Sequence, residues 1–220
     1  MHDQLFVDRL AQHGDHLAVV TDTGARLTYA ALAESVELSA QELTSGGGMV
    51  IVEANNSLPC LVAYLACMRA RRPVLLVEPG STARDGRIAA QFSAGTVFRE
   101  TAPGNWRFAP LHEAPTVQPA PELCVLLSTS GTTGSPKLVR LSRGNIESNA
   151  SSIAEYLGIR PDDRAITTLP PFYSFGMSVI NSHLYAGATL LLTEGSVATD
   201  EFWRFFQAEA ATSFSAVPFT

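Results

Sequence analysis

Two strand-length runs dominated by leucine and valine limit most strongly what this chain can fold into. They are VLLV at residues 74–77 and TLLL at residues 189–192. Strands of parallel sheets are covered by helices on both faces, so they read as continuous hydrophobic runs. Stretches with helical periodicity separate these runs from the other strand-length segments, which is typical of βαβ units. The sequence therefore predicts an α/β fold with parallel-rich sheets flanked by helices.

The same periodicity places individual elements along the chain. Residues 28–43 carry leucine, valine and alanine at helical spacing, and Thr28 is a typical helix N-cap. A glycine turn precedes a predicted strand at about Met49–Glu53, and a helix is expected near residues 174–185. Residues 101–121 are rich in Pro and Ala and show no periodicity. We expect a surface connection there.

Charge and cysteine content exclude several classes of protein. The formal net charge is −6, and no large cluster of Lys and Arg is present, which argues against nucleic acid as a partner. The three cysteines form no Cys-x-x-Cys motif and lie in apolar contexts, so core packing in a reducing compartment is expected. The N-terminus lacks the pattern of a signal peptide, and no apolar run is long enough to span a membrane. The sequence indicates a cytoplasmic protein.

The segment STSGTTGSPK, residues 128–137, concentrates groups that bind anions. Gly131 and Gly134 allow the backbone to approach a ligand closely, and Lys137 adds a mobile positive charge. Lys137 lies three residues after the second glycine and is followed by Leu138, so the spacing differs from the Walker P-loop. The pattern predicts another type of phosphate-binding loop. Its candidate cofactor-binding residues are Thr129, Ser130, Gly131, Thr132, Thr133, Gly134 and Lys137.

This segment closely resembles the phosphate-binding signature of the adenylate-forming (AMP-binding) superfamily, which includes acyl-CoA synthetases, peptide-synthetase adenylation domains and luciferases. Other segments agree in the family's order. RLTYAALAESVELSAQEL is similar to its early Thr-Tyr-x-x-Leu helix, and TTLPPFYSFGMSVINSHLYAGATLLL is similar to its acyl-pocket block. The resemblance runs over nearly the whole chain. It implies that residues 1–220 are the N-terminal portion of an AMP-binding large domain.

The resemblance implies a ligase reaction for the parent protein. A carboxylate and ATP give acyl-AMP and pyrophosphate, and the acyl group then passes to a thiol of CoA or of carrier-protein phosphopantetheine. ATP and Mg²⁺ are the implied cofactors, and a small-molecule carboxylic acid and a carrier protein are the implied partners. Lys137 is the implied catalytic residue, which neutralises charge on the leaving pyrophosphate. A carboxylate is already ionised at neutral pH, so no general base is needed, and no metal ligand is assigned.

The acyl-pocket block carries the substrate candidates Phe172, Tyr173 and Gly176. By resemblance, Tyr173 occupies the position where many acyl-CoA synthetases carry a gating His. Amino-acid-activating domains usually place an Asp in this block, where Ser174 stands here. An uncompensated ammonium in an apolar pocket is costly, so α-amino acid substrates are disfavoured. A second departure is Arg143, which occupies a position where the family often has His.

Later family motifs for adenine, Mg²⁺ and ribose are absent from the sequence, as is the small C-terminal domain. We therefore expect the chain to be a fragment that also contains an incomplete second sheet, is inactive by itself and requires the remainder of its own ligase chain. Two alternatives stay open. The chain is a non-catalytic nucleotide-binding or assembly module, or it is a fragment of a peptide-synthetase adenylation domain with an unusual substrate.

Overall fold

The computed structural model describes residues 4–44, 47–84, 87–111, 118–128 and 138–218. The chain divides into two compact units, each described below by itself. The first unit comprises Met1–Glu34, Asn56–Leu58 and Gly144–Thr220, and the second comprises Ser35–Asn55 and Pro59–Arg143.

Strands and helices alternate along most of the chain. The strands are β1 (Leu17–Thr21), β2 (Arg26–Thr28), β3 (Met49–Glu53), β4 (Val74–Val77), β5 (Ala94–Ala102), β6 (Asn105–Pro110), β7 (Leu123–Ser128), β8 (Leu138–Ser142), β9 (Arg164–Ile166), β10 (Thr189–Leu192) and β11 (Ser213–Phe214). A 3₁₀-helix at Phe6–His13 precedes the α-helices α1 (Tyr29–Glu42), α2 (Leu58–Arg69), α3 (Ser81–Arg84), α4 (Ile88–Gln91), α5 (Arg143–Leu157), α6 (Ser174–Ala186) and α7 (Asp200–Ala208).

The first unit is built on a sheet with the strand order β11-β9-β10-β1-β2. Its strands run parallel except for β2, which pairs antiparallel with β1. Helix α7 covers the sheet with Phe202, which packs in one cluster with Val20, Ile166 and Leu191. The continuous run TLLL forms β10, and all four of its residues are buried, as expected for a strand covered on both faces.

The second unit is built on a sheet with the strand order β6-β5-β3-β4-β7-β8. The four central strands are parallel, and β6 and β8 pair antiparallel at the two sides. Both β3 and β4 are buried along their whole length, and Ile51 and Leu75 belong to the core cluster. The two sheets confirm the predicted α/β class with parallel-rich sheets flanked by helices.

Helix α1 begins and packs as its sequence predicts. The hydroxyl of Thr28 accepts a hydrogen bond of 3.2 Å from the backbone N–H of Ala31, which is the expected N-cap contact. The apolar stripe is buried at Leu32, Val36 and Leu43. The three cysteines are buried and form no disulfide, in agreement with the core-packing interpretation. No helix among the described residues is long and apolar enough to cross a bilayer.

The structure differs from the expectation of a surface connection at residues 101–121. The end of β5 and the whole of β6 lie within that segment, joined by a turn at Gly104, whose φ is 73°. Trp106 and Phe108 alternate with arginine, and both rings contact the ring of Phe98 on one face of the hairpin. The prolines and alanines obscured this two-residue period, which is the signal of a half-buried strand.

A second hairpin, β1–β2, received no strand assignment from the sequence. Its turn contains Gly24 at a φ of 93°, a conformation that favours glycine. The side chain of Thr21 accepts a hydrogen bond of 3.0 Å from the backbone N–H of Ala25 and so helps to close the turn. The short run LAVVT resembles a buried helix segment as much as a strand, so periodicity alone does not identify it.

Candidate functional site

Strands β7 and β8 form the frame of the predicted phosphate-binding loop. They pair antiparallel, and Ser128 and Leu138 lie opposite each other at the end of the ladder. The loop, residues 129–137, joins these two paired ends. Its predicted site residues, which lie outside the described residues, are Thr129, Ser130, Gly131, Thr132, Thr133, Gly134 and Lys137.

The frame fixes the side of the sheet from which the loop starts. Strands β3, β4 and β7 are parallel and end at Glu53, Val77 and Ser128. We call this side, with the residues that follow those three positions, the carboxyl edge. Ligands of open α/β sheets bind beyond the carboxyl ends of the strands. The loop therefore starts from the side of the sheet where such folds place their binding sites.

Glu53 is a carboxyl-edge residue that sequence reasoning did not single out. Only 6% of its surface is exposed. Its carboxylate accepts hydrogen bonds from the backbone N–H groups of Gly80, at 3.0 Å, and Thr82, at 2.9 Å, and from the Thr82 hydroxyl at 2.5 Å. These three donors compensate the buried charge and tie the end of β3 to the segment after β4. The signal in the sequence that could have identified Glu53 is a charged residue at the end of an apolar strand.

The substrate candidates lie at the start of helix α6. Tyr173 precedes the helix in an extended conformation, with φ −97° and ψ 133°. Its side chain is 44% exposed and that of Phe175 is 41% exposed, while Phe172 is half-buried. These aromatic groups are therefore accessible in the first unit, in contrast to the buried core aromatic Phe202.

Gly176 has a packing requirement of its own. A Cβ atom at this position would lie 2.3 Å from the carbonyl oxygen of Pro170 and 2.6 Å from that of Leu169. Both atoms belong to backbone, so they cannot rotate away as a side chain would. The absence of a side chain at Gly176 allows α6 to approach the segment after β9.

A small cavity adjoins Gly176. Its volume is about 10 Å³, and its lining also includes Thr168, Leu169, Val179 and Ser215. One water molecule needs about 10–15 Å³, so this cavity is too small for a carboxylic acid. Phe172 and Tyr173 are not among its described lining residues. The structure thus brings one of the three substrate candidates to this cavity.

Hydroxyl groups connect the strand ends of the first unit's sheet beside this cavity. Thr167 donates to the carbonyls of Leu191 and Thr193, in both cases at 3.3 Å. Thr193 in turn donates to the carboxylate of Asp22 at 2.6 Å. The network satisfies polar groups after three parallel strands, so these threonines have a structural explanation.

His183 also has a structural explanation. It lies in α6 with 6% of its surface exposed, and its Nδ1 donates to the carbonyl of Val179 at 2.8 Å. Burial lowers the pKa of its imidazole below the usual value, although the Val179 carbonyl opposes that shift. The burial and the hydrogen bond give His183 a role in the packing of α6.

Among the described residues, no group of three or more His, Cys, Asp or Glu side chains is arranged to hold a metal ion. The Glu53 carboxylate is occupied by its three donors. The loop contains hydroxyl groups and one ammonium group but no carboxylate. This donor set suits the phosphate groups of ATP, whereas Mg²⁺ prefers carboxylate oxygens.

Sequence comparisons agree with the geometry of the frame. A model of the AMP-binding enzyme family matches residues 6–220. The chain is 26% identical to "Probable CoA ligase CCL9" of Humulus lupulus over 248 aligned residues. The alignment covers 94% of this chain and 47% of that relative. It is 24% identical to surfactin synthase subunit 2 of Bacillus subtilis, over 97% of this chain and 7% of that protein.

A solved structure has the same fold. Apo MatB from Rhodopseudomonas palustris superposes with a TM-score of 0.76 and 25% sequence identity, over 97% of this chain and 49% of that chain. The chain therefore spans about half the length of this structure, of the Humulus lupulus relative and of another relative, the oxalate–CoA ligase of Arabidopsis thaliana.

Proposed function

The chain belongs to the AMP-binding enzyme family, and we propose that its whole protein is an AMP-forming acid–thiol ligase. The observation that carries the proposal is the frame of β7 and β8. Its paired ends, Ser128 and Leu138, flank the segment that carries the phosphate-binding signature. The names of its relatives, which include several CoA ligases, support the same reaction class.

In the proposed reaction, a carboxylic acid attacks the α-phosphorus of ATP. A carboxylate oxygen forms the new bond to phosphorus, and the bond from phosphorus to the bridging oxygen breaks, which releases pyrophosphate. The products are an acyl-adenylate and pyrophosphate. In a second step, the thiol of CoA or phosphopantetheine attacks the acyl carbon, AMP leaves and the thiol loses its proton.

The loop contributes binding and electrostatic stabilisation. Its hydroxyl and backbone N–H groups, at Thr129, Ser130, Thr132 and Thr133, hold the β- and γ-phosphates of ATP. Lys137 stabilises the charge that builds up on the departing pyrophosphate. Positioning and charge neutralisation are sufficient, because a carboxylate at neutral pH is already an ionised nucleophile.

The acyl group is bound at the start of α6 in this proposal. Phe172 and Tyr173 supply apolar side chains that contact the acyl group, and Gly176 contributes no side chain beside it. The cavity beside Gly176 is only about 10 Å³ and neither aromatic residue is among its described lining residues, so the acid is bound outside it. Tyr173, which is 44% exposed, is accessible for that contact.

The relatives suggest the thiol acceptor, and the cysteines suggest the compartment. The CoA ligases point to CoA, whereas surfactin synthase favours the second candidate, a peptide-synthetase adenylation domain acting with a carrier protein. Ser174 stands where amino-acid-activating domains usually have Asp, which favours a CoA ligase over a peptide-synthetase domain. Mg²⁺ would supply charge neutralisation on the phosphates when bound. Three buried cysteines that form no disulfide suit a reducing, cytoplasmic environment.

Carboxylate-dependent exchange between ATP and pyrophosphate tests the proposal. We would assay the chain and the longest reading frame that contains it, with aromatic, short-chain, long-chain and α-amino acids. Exchange with a non-amino carboxylic acid is the expected result. Exchange with α-amino acids alone would favour the peptide-synthetase candidate. ATP binding without exchange for any acid would instead indicate a non-catalytic nucleotide-binding module.

A further inference from the structure

Glu53 ends strand β3 with a buried charge at a position where the sheet does not need one. The other four residues of β3 are apolar and buried, and the paired position at the end of β4 is the buried, apolar Val77. Burying a carboxylate costs free energy unless hydrogen bonds compensate its charge, and apolar groups stabilise an interior at least as well. The carboxylate of Glu53 therefore calls for a reason beyond core packing.

The carboxylate holds the connection between β4 and α3. This connection begins with a β-turn, in which the backbone N–H of Ser81 donates to the carbonyl of Glu78 at 3.1 Å. Pro79 and Gly80 occupy the central positions, and Gly80 has a φ of 78°, which is typical of a type II turn. Helix α3, which follows, has four residues and is too short to be stable by itself.

Glu53 supplies hydrogen-bond partners that the connection does not have within itself. One carboxylate oxygen accepts from the backbone N–H of Gly80 at 3.0 Å. The other accepts from the backbone N–H and the hydroxyl of Thr82, at 2.9 Å and 2.5 Å. The N–H of Thr82 belongs to the first turn of α3, where N–H groups have no partner inside the helix. One buried carboxylate thereby fixes both the turn and the start of the helix.

The connection starts beside the strand that leads into the phosphate-binding loop. Leu76 of β4 pairs in parallel with Leu127 of β7, so the next neighbours are Val77 and Ser128. Ser128 is the last residue of β7, and the loop, residues 129–137, follows it. Neighbouring strands lie about 4.8 Å apart, so the connection and the loop start about one strand spacing from each other.

We propose that Glu53 is a positioning residue for ATP, because it fixes residues 80–82 as a rigid support beside the start of the phosphate-binding loop. The carboxylate acts through this backbone and not by contact with the phosphates, since both groups are negatively charged. A loop with a rigid neighbour has less conformational freedom to lose when its ligand binds, which raises affinity. The inference rests on the proposed function for the identity of the ligand.

Equilibrium dialysis of ATP against the full-length parent protein tests this role. Glu53→Gln weakens all three hydrogen bonds, and Thr82→Val removes only that of the hydroxyl. We expect the Kd for ATP to rise about tenfold in Glu53→Gln and less in Thr82→Val, whereas Thr82→Ser should retain the wild-type Kd. A purely structural role gives a different result, because partial unfolding lowers the number of binding sites and leaves the Kd of the folded molecules unchanged.

Glu100→Gln is the matched control. Its carboxylate also accepts a hydrogen bond from a glycine N–H, that of Gly104 at 2.6 Å, but in the exposed turn of the β5–β6 hairpin. Its Kd for ATP should equal that of the wild type. ATP–pyrophosphate exchange is measured on the same samples. Wild-type binding of ATP without exchange would contradict the ligase reaction, and the Kd comparison would still decide the role of Glu53. An unchanged Kd in Glu53→Gln, with normal exchange, would refute the positioning role alone.

Discussion

The two edges of the second unit's sheet both hold charged side chains through hydrogen bonds to the backbone, but the charges have opposite sign. At the carboxyl edge, the Glu53 carboxylate accepts hydrogen bonds from two backbone N–H groups and one hydroxyl. At the amino edge, which is the side that precedes β3, β4 and β7, the Arg72 guanidinium donates to the carbonyls of Leu43, Gly47 and Gly48. N–H groups therefore compensate a carboxylate at one edge, and carbonyl groups compensate a guanidinium at the other.

The edges also differ in how their residues are arranged along the chain. The predicted loop that follows β7 is one contiguous segment, so its chemistry is visible in the sequence. The contacts of Arg72 combine the end of α2 with Leu43, Gly47 and Gly48, and only the fold brings these residues together. Contiguous sites can therefore be found by motif, and assembled sites only by structure. The following predictions test this contrast, from the largest expected effect to the smallest.

The largest effect is expected in the loop at the carboxyl edge. Lys137→Ala and, separately, Thr132→Val should each slow adenylation by about 10²–10³-fold, or about 2.7–4 kcal/mol, because each removes a group that stabilises the transition state. The measurement is single-turnover formation of acyl-adenylate in the full-length parent protein. Arg140→Ala is the control, since Arg140 is an exposed cation on β8. Unchanged rates in both loop variants would remove the loop from the mechanism.

At the amino edge, Arg72→Met should lower the free energy of unfolding by about 2–3 kcal/mol. The substitution leaves the carbonyls of Leu43, Gly47 and Gly48 without their guanidinium donor. Urea denaturation measures the effect. Arg69→Met is the matched control, since its ion pair with Glu37 is largely exposed and is worth less than about 1 kcal/mol. Equal losses in the two variants would mean that the three hydrogen bonds of Arg72 stabilise the fold no more than an exposed ion pair does.

Glu53→Gln should lower the free energy of unfolding by about 1–2 kcal/mol. Its amide group would face donors that now bind a carboxylate, so charge-assisted hydrogen bonds are lost. Thermal and urea unfolding would both report the change. Glu78→Gln, at a carboxylate whose side chain is 60% exposed, should change stability by less than about 0.5 kcal/mol. If Glu53→Gln leaves the free energy of unfolding unchanged, the buried charge of Glu53 does not stabilise this edge.

The smallest effect has the opposite sign. Arg71→Gly should leave stability unchanged or raise it by up to about 1 kcal/mol, because glycine adopts the observed φ of 54° without strain. The same denaturation series measures it. A loss above about 1 kcal/mol would mean that the Arg71 side chain itself stabilises the helix end.

The sequence predicted those parts of the fold whose local pattern agrees with their environment. Strand β3 was expected at about Met49–Glu53 and helix α6 near residues 174–185, and both are present. Strand β6 and the β1–β2 hairpin were missed, because their pairing partners, rather than their own composition, make them strands. Glu53 and the contacts of Arg72 were missed for a related reason: their significance lies in hydrogen bonds between segments distant in the chain.

The most direct test of the central claim is a crystal structure of the full-length parent protein with a non-hydrolysable ATP analogue. The account predicts that the phosphates lie at the carboxyl edge, between the ends of β7 and β8 and within hydrogen-bond distance of residues 129–137. Phosphates bound only at the amino edge would contradict the account. A structure without bound nucleotide, from crystals grown with a large excess of the analogue, would contradict it as well.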